Sequence, residues 1–165
     1  RSHVDADIDQ IESALTALGS AYGASVGTSY LYNQERGDAS YKSIETRPTD
    51  AEGLDDVNRT TMYTAGAVRM RGGDVLLRAA AGTRESSTAD QSRRYPVATR
   101  RSNVVFLGDK TFLRDDRHRV ADNEAFVEYL VEFLASSDRT PGRDVSGAVP
   151  PGNDTATGAD SVNPD

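Results

Sequence analysis

Residues 102–134 carry two hydrophobic patterns in succession, first that of a strand and then that of a helix. The fold predicted for the rest of the chain is built around this stretch. Val104–Leu107 is a continuous apolar run closed by Gly108, which is typical of a strand covered on both faces. Beyond a charged loop, Asp122 or Asn123 is the expected N-cap of a helix. Apolar residues then recur with a helical period, at Phe126, Val127, Leu130, Val131, Phe133 and Leu134. The pattern predicts one strand–loop–helix unit.

A second helix and several strands are predicted upstream of this unit. Ile8–Tyr22 has one apolar face and Asp7 as its expected N-cap. Short runs of β-branched and aromatic residues predict strands near residues 26–32, 41–46, 60–64, 75–79, 95–99 and 103–107. Together these elements predict an α/β domain over residues 1–137, with a mixed sheet of about five or six strands and two main helices.

Turn and loop residues separate the predicted strands. Gly72–Gly73 and Arg100–Ser102 are expected to form hairpin turns. Residues 82–94 are rich in Ser, Thr, Asp and Arg, which predicts an exposed loop. From Ser136 onward Gly, Pro, Ser, Thr and Asp replace nearly all apolar residues. Such a segment cannot bury enough surface to offset its ordering entropy, so residues 138–165 are predicted to be a disordered acidic tail or linker.

The negative net charge argues against some classes of binding partner. The net charge is −7 at pH 7 and the isoelectric point is near 4.8, which disfavours nucleic acid and anionic membrane surfaces. Only Lys42 and Lys110 are lysines among the 19 basic residues. This lysine-poor, acidic composition is typical of a protein from a salt-loving archaeon. No apolar run approaches the roughly 18 residues that cross a bilayer, so no membrane span is expected in this chain.

Asp109 is the best-placed residue for chemistry, because functional side chains of open α/β sheets gather beyond the carboxyl ends of the strands. Its loop contains four further Asp or His residues, Asp115, Asp116, His118 and Asp122. One interpretation is a metal-dependent hydrolase that uses Asp109 and the 115–122 loop. The other is structural: the Asp109 carboxylate accepts N–H groups of its own loop, and Asn123 ties that loop to the helix. Asp109 and Asn123 are also the candidate ligand contacts of this unit.

The sequence lacks the motifs that usually identify a catalytic site. There is no cysteine, which excludes disulfides, thiolate metal sites and a cysteine nucleophile. A G-x-S-x-G nucleophile turn is missing, as are the G-x-G-x-x-G and G-x-x-x-x-G-K-[ST] signatures of nucleotide sites. We therefore expect no enzymatic activity and no cofactor, and we assign no catalytic residue and no metal ligand.

Tyrosines near the predicted first strand offer a different kind of site. Tyr30, Tyr32 and Tyr41 could pack within or at the edge of a small sheet, or stack on a sugar or a protein partner. A surface glycan-binding domain that uses Tyr30 and Tyr32 would require a shallow, aromatic-lined groove.

The segment from Asn103 to Leu113 resembles a known family, through the Gly-Asp-x-x-Phe-Leu phrase of residues 108–113 and the Asn that opens the last helix. It is similar to class I glutamine amidotransferase-like domains that have lost catalysis. Such domains occur in auxiliary, gliding-motility-type components of ABC transporters and in haloarchaeal membrane-linked proteins. Gly108, Asp109, Phe112, Leu113 and Asn123 match the recurring phrase, whereas Lys110 replaces a small hydroxyl residue.

The resemblance implies a flavodoxin-like fold, or a truncated version of one, without the family's Cys-His-Glu set. It further implies a non-enzymatic binding or assembly module of a halophilic archaeon. The implied location is extracytoplasmic or membrane-associated. The expected partner is a protein of a membrane or cell-surface complex, with an ABC transporter as one such system.

Overall fold

The computed structural model describes residues 16–36 and 40–136 of the chain. These residues contain nine strands and two α-helical segments, joined by loops. The helical segments are α1, residues 16–21, and α2, Asn123–Ala135. A 3₁₀ turn, Thr111–Leu113, precedes α2. The strands are β1 Ala24–Tyr32, β2 Ser43–Pro48, β3 Thr60–Tyr63, β4 Gly66–Met70, β5 Asp74–Ala79, β6 Arg84–Glu85, β7 Thr88–Ser92, β8 Pro96–Arg101 and β9 Val104–Leu107.

The strands form two sheets. The larger sheet has the order β3-β2-β5-β8-β9, and the smaller has the order β4-β1-β6-β7. Every strand pair among the described residues is antiparallel. Because β3 and β9 stand first and last in the larger sheet, they are its edge strands, and each pairs with one neighbouring strand only.

The core lies where α2 covers one face of the larger sheet. Central strands supply aliphatic side chains with no exposed surface, among them Leu76, Leu77 and Val97. Aromatic rings fill the space beneath the helix: Phe112 and Phe126 have centroids 5.6 Å apart, and Phe126 stacks on Tyr129 at 6.0 Å. Burial of these large rings stabilises the strand–loop–helix unit.

The two sheets meet where the backbones of Gly66 and Gly108 touch. The Gly66 N–H donates to the Gly108 carbonyl at 2.8 Å, and the Gly108 N–H donates to the Val97 carbonyl at 2.8 Å. A Cβ at residue 108 would lie only 2.0 Å from the Gly66 carbonyl oxygen. Only glycine allows this approach, so Gly108 links the end of β9 to the start of β4.

The predicted combination of helices and strands is confirmed, but the flavodoxin-like arrangement is not. A flavodoxin-like sheet is built from parallel strands, whereas the predicted mixed sheet is here two antiparallel sheets. Of the first predicted helix, residues 16–21 are helical. Its residues 8–15, the domain boundary at residue 137 and the predicted tail lie outside the described residues.

Local predictions had mixed outcomes. The turn at Arg100–Ser102 joins the paired strands β8 and β9, as expected for a hairpin. Gly72–Gly73 instead carries the chain from β4 in one sheet to β5 in the other, so the predicted hairpin is wrong there. The 82–94 segment contains β6 and β7 as well as loop. Val104–Leu107 is an edge strand whose four residues are all half-buried, so the prediction of two fully covered faces is wrong.

Replacing Gly108 by alanine is expected to lower the free energy of unfolding by about 1–3 kcal/mol, because the added methyl group meets the Gly66 carbonyl in a packed junction. Urea unfolding followed by circular dichroism measures the loss. Gly27→Ala is the matched control, since its Cβ would approach no neighbouring atom closer than 3.3 Å. Equal effects of the two substitutions would contradict the role assigned to Gly108.

Candidate functional site

The edge of β3 bonds to side chains of the strand–loop–helix unit instead of to another strand. Asp122 Oδ2 accepts hydrogen bonds from the N–H groups of Asn58 and Arg59, both at 2.9 Å. The Asp122 N–H donates in turn to the Arg59 carbonyl at 2.8 Å. Asp122 stands at the N-cap position of α2 but makes no side-chain cap bond there. Its carboxylate holds the chain that leads into β3.

Asn123 continues this contact one step along the strand. Its Oδ1 accepts the Thr61 N–H at 2.9 Å, and its Nδ2 donates to the Thr61 carbonyl at 3.2 Å. The same Nδ2 donates to the Arg117 carbonyl at 2.9 Å. The side chain has no exposed surface. It therefore replaces a neighbouring strand at Thr61 and, as predicted, ties the preceding loop to the helix start.

Asp109 is the third side chain that bonds to the backbone at the edge of β3. Its Oδ1 accepts the Thr111 N–H at 2.7 Å, which is the predicted Asx-turn. Its Oδ2 accepts the Thr111 hydroxyl at 2.7 Å and the Tyr63 N–H at 2.9 Å. We call Asp109, Asp122 and Asn123 the β3 clamp. Because outward N–H groups recur at every second residue of a strand, the clamp meets residues 59, 61 and 63 in turn.

The charge of Asp122 depends on these backbone donors. The N–H groups of Arg59 and Asn58 bond to the ionised carboxylate and hold the pKa of Asp122 below its ordinary value, and the Arg59 guanidinium adds attraction. These two backbone bonds thus favour the charged form of Asp122. A carboxylate so engaged is a structural element of the strand edge.

The structure does not bring the acidic loop residues together around a metal. Asp115 is exposed, while Asp116 pairs with Arg114 at 3.1 Å and with Arg117 at 3.9 Å. Among the described residues, no group of three or more His, Cys, Asp or Glu is placed to hold a metal ion. The geometry therefore lends no support to the metal-dependent hydrolase interpretation.

The tyrosines predicted as a binding site do line a common surface. A shallow depression of about 260 Å³, here called the tyrosine pocket, is formed by Tyr30, Tyr32, Gln34, Tyr41 and Ser86. The Tyr32 ring lies 6.3 Å from both the Tyr30 and the Tyr41 ring, at interplanar angles of 56° and 83°. The rings are inclined to one another, so they enclose a corner instead of a flat row.

Several local contacts hold the tyrosine pocket in place. The Lys42 ammonium lies 4.9 Å from the Tyr30 ring centroid and 5.8 Å from that of Tyr41, which is cation–π geometry. The Ser86 N–H donates to the Tyr30 carbonyl at 2.9 Å. The Lys42 ammonium thus contacts two of the three rings, and the backbone bond holds residue 86 beside β1.

Asn33 anchors the turn that carries Gln34. Its Oδ1 accepts the N–H groups of Glu35 and Arg36, both at 3.0 Å, and its Nδ2 donates to the Ala81 carbonyl at 3.1 Å. Asn33 has no exposed surface. Gln34, Lys42, Asn33 and Ser86 were not among the residues predicted to form a site. An Asn directly after a strand and before a polar turn was the available signal for Asn33.

Comparisons with protein-family models, curated proteins and solved structures give no match for this chain. The amidotransferase-like resemblance and the location and partner that it implies remain predictions. Within residues 16–36 and 40–136, no helix is long and apolar enough to cross a membrane.

Asn123→Ala is expected to lower the free energy of unfolding by about 1–3 kcal/mol, because the N–H and carbonyl of Thr61 lose their partner at a buried position. Chemical unfolding measures the change. The control is Glu124→Ala, an exposed position on the same turn of α2. If both substitutions cost equally little, the clamp does not stabilise the fold.

Asp122→Asn is expected to flatten the acid limb of the stability curve. A carboxyl with a lower pKa in the folded than in the unfolded protein stabilises the fold above its unfolded pKa, and this contribution disappears as the pH falls through the folded pKa. The wild-type protein should lose this stability below about pH 4, and the variant should lack that loss. Thermal unfolding across the acid range tests this, with the exposed Asp115→Asn as control. Superimposable curves for Asp122→Asn and wild type would count against the assignment.

Proposed function

We propose that this domain is a non-enzymatic binding module and that the tyrosine pocket takes a neutral sugar unit of a glycan. The observation that carries the proposal is the chemistry of the lining. All five lining residues present a hydroxyl or an amide group, and none is charged. Hydroxyls and amides both donate and accept hydrogen bonds, which matches the hydroxyl groups of a sugar.

The arrangement of the rings supports the same ligand. A pyranose ring has apolar C–H faces and a polar rim, so it packs on aromatic faces while its hydroxyls bond to neighbouring polar groups. Tyr30, Tyr32 and Tyr41 provide aromatic surface on more than one side of the corner. At about 260 Å³ the pocket is below the roughly 300–1,000 Å³ of sites for drug-sized ligands. One sugar unit is thus the expected occupant.

Preorganisation supports binding despite the shallow shape. The buried Asn33 fixes the Gln34 turn, and the Lys42 ammonium restrains Tyr30 and Tyr41. Side chains that are ordered before the ligand arrives lose less entropy on binding. The β3 clamp serves in this proposal as scaffold, because its carboxylate and amide groups already bond to the protein's own chain.

The setting that we propose follows from the sequence. The family resemblance and the acidic, lysine-poor composition support a membrane-associated or cell-surface system of a halophilic archaeon, with an ABC transporter as one candidate system. In such a setting a glycan of the cell surface is the accessible sugar.

Titration of ¹⁵N-labelled protein with neutral trisaccharides tests the proposal. The probes are maltotriose, cellotriose and mannotriose, and we expect at least one to shift the amide signals of residues 30–34, 41 and 86 at millimolar concentration. Tyr32→Ala should weaken that binding by about tenfold or more, since Tyr32 contacts both other rings. Tyr22→Ala is the control, because Tyr22 packs on Phe106 of β9, outside the pocket.

Three results would contradict the proposal. The first is the absence of any shift in the pocket with all three sugars. The second is a set of shifts that Tyr32→Ala and Tyr22→Ala reduce equally. The third is saturation of the same residues by a proline-rich peptide but by no sugar, since aromatic grooves also bind polyproline segments.

A further inference from the structure

The outer side of α2 carries an apolar stripe that the described part of the fold leaves uncovered. Phe126, Tyr129 and Leu130 face the core. Val131 and Leu134 are 57% and 64% exposed and extend the apolar side of the helix outward. With the half-buried Val127 they follow the i, i+4, i+7 spacing of a single helical stripe. Contiguous exposed apolar side chains are typical of interaction surfaces.

A row of carboxylates runs beside this stripe. Glu124, Glu128 and Glu132 are exposed and recur every four residues, which places them on one side of the helix. No lysine or arginine occurs within α2, and its last turn holds no basic residue. Like charges at this spacing weaken a helix and are unopposed within it. Cationic groups from outside the helix would relieve the repulsion.

We propose that this face of α2 binds a basic amphipathic helix of a partner protein. The partner's apolar side would cover Val127, Val131 and Leu134, and its Lys or Arg residues would meet the glutamate row. A second copy of the chain fits less well, because two α2 helices packed on this face would bring like-charged rows together. The surface shares no residue with the tyrosine pocket, so the proposal does not depend on sugar binding.

A synthetic amphipathic helix of leucine and lysine is the probe, and fluorescence anisotropy is the readout. We expect it to bind the wild-type chain, whereas a leucine–glutamate helix with the same apolar side should not. The variant Val131→Ser with Leu134→Ser should weaken binding at least about tenfold. Both side chains are largely exposed, so circular dichroism should show an unchanged fold.

The charge contribution is tested with variants of equal net charge. Glu124→Gln with Glu128→Gln should weaken binding several-fold, whereas the exposed pair Asp50→Asn with Asp115→Asn should leave it unchanged. Equal effects of the two charge pairs would overturn the proposal, since attraction would then be general to an acidic protein. Unchanged binding by the serine variant would also overturn it. Sedimentation equilibrium adds a third test: a wild-type dimer that the serine variant abolishes would assign the surface to a second copy instead.

Discussion

An edge strand leaves backbone N–H and C=O groups without a strand partner, and this domain resolves that constraint at β3 with side chains. The β3 clamp supplies a carboxylate or an amide at each outward N–H of residues 59, 61 and 63. Because the donors and acceptors lie 46 to 63 residues apart in sequence, these bonds join distant parts of the chain. The strand–loop–helix unit is thereby fixed against the sheet that it covers.

The β3 clamp also explains why Asp109, which the sequence placed best for catalysis, has a structural role instead. Both oxygens of Asp109 accept bonds from the protein, so the carboxylate orients Thr111 and Tyr63. The tyrosine pocket has the opposite character, since its polar groups surround open space. In this domain Asp109, Asp122 and Asn123 of the strand–loop–helix unit bond to the protein's own backbone, whereas the side chains that line the tyrosine pocket border an open depression.

The sequence predicted features that depend on local pattern. The strand–loop–helix unit, the Asx-turn of Asp109 and the grouping of Tyr30 with Tyr32 follow from periodicity and residue chemistry within a few positions. Strand partners depend on contacts between distant segments. The antiparallel topology and the crossing at Gly72–Gly73 were for this reason not predictable. The short strands β6 and β7 lie in a polar segment with no strand-like alternation, and Ser86 joins the pocket only through their turn.

Native-state amide hydrogen exchange tests the clamp most directly, because it reports the opening of individual backbone bonds. If side chains replace a neighbouring strand, the amides of Thr61 and Tyr63 should exchange only through the global unfolding that governs the central strands β5 and β8. Exchange of these two amides through local fraying, with a free energy well below that of β5 and β8, would contradict this account of the fold.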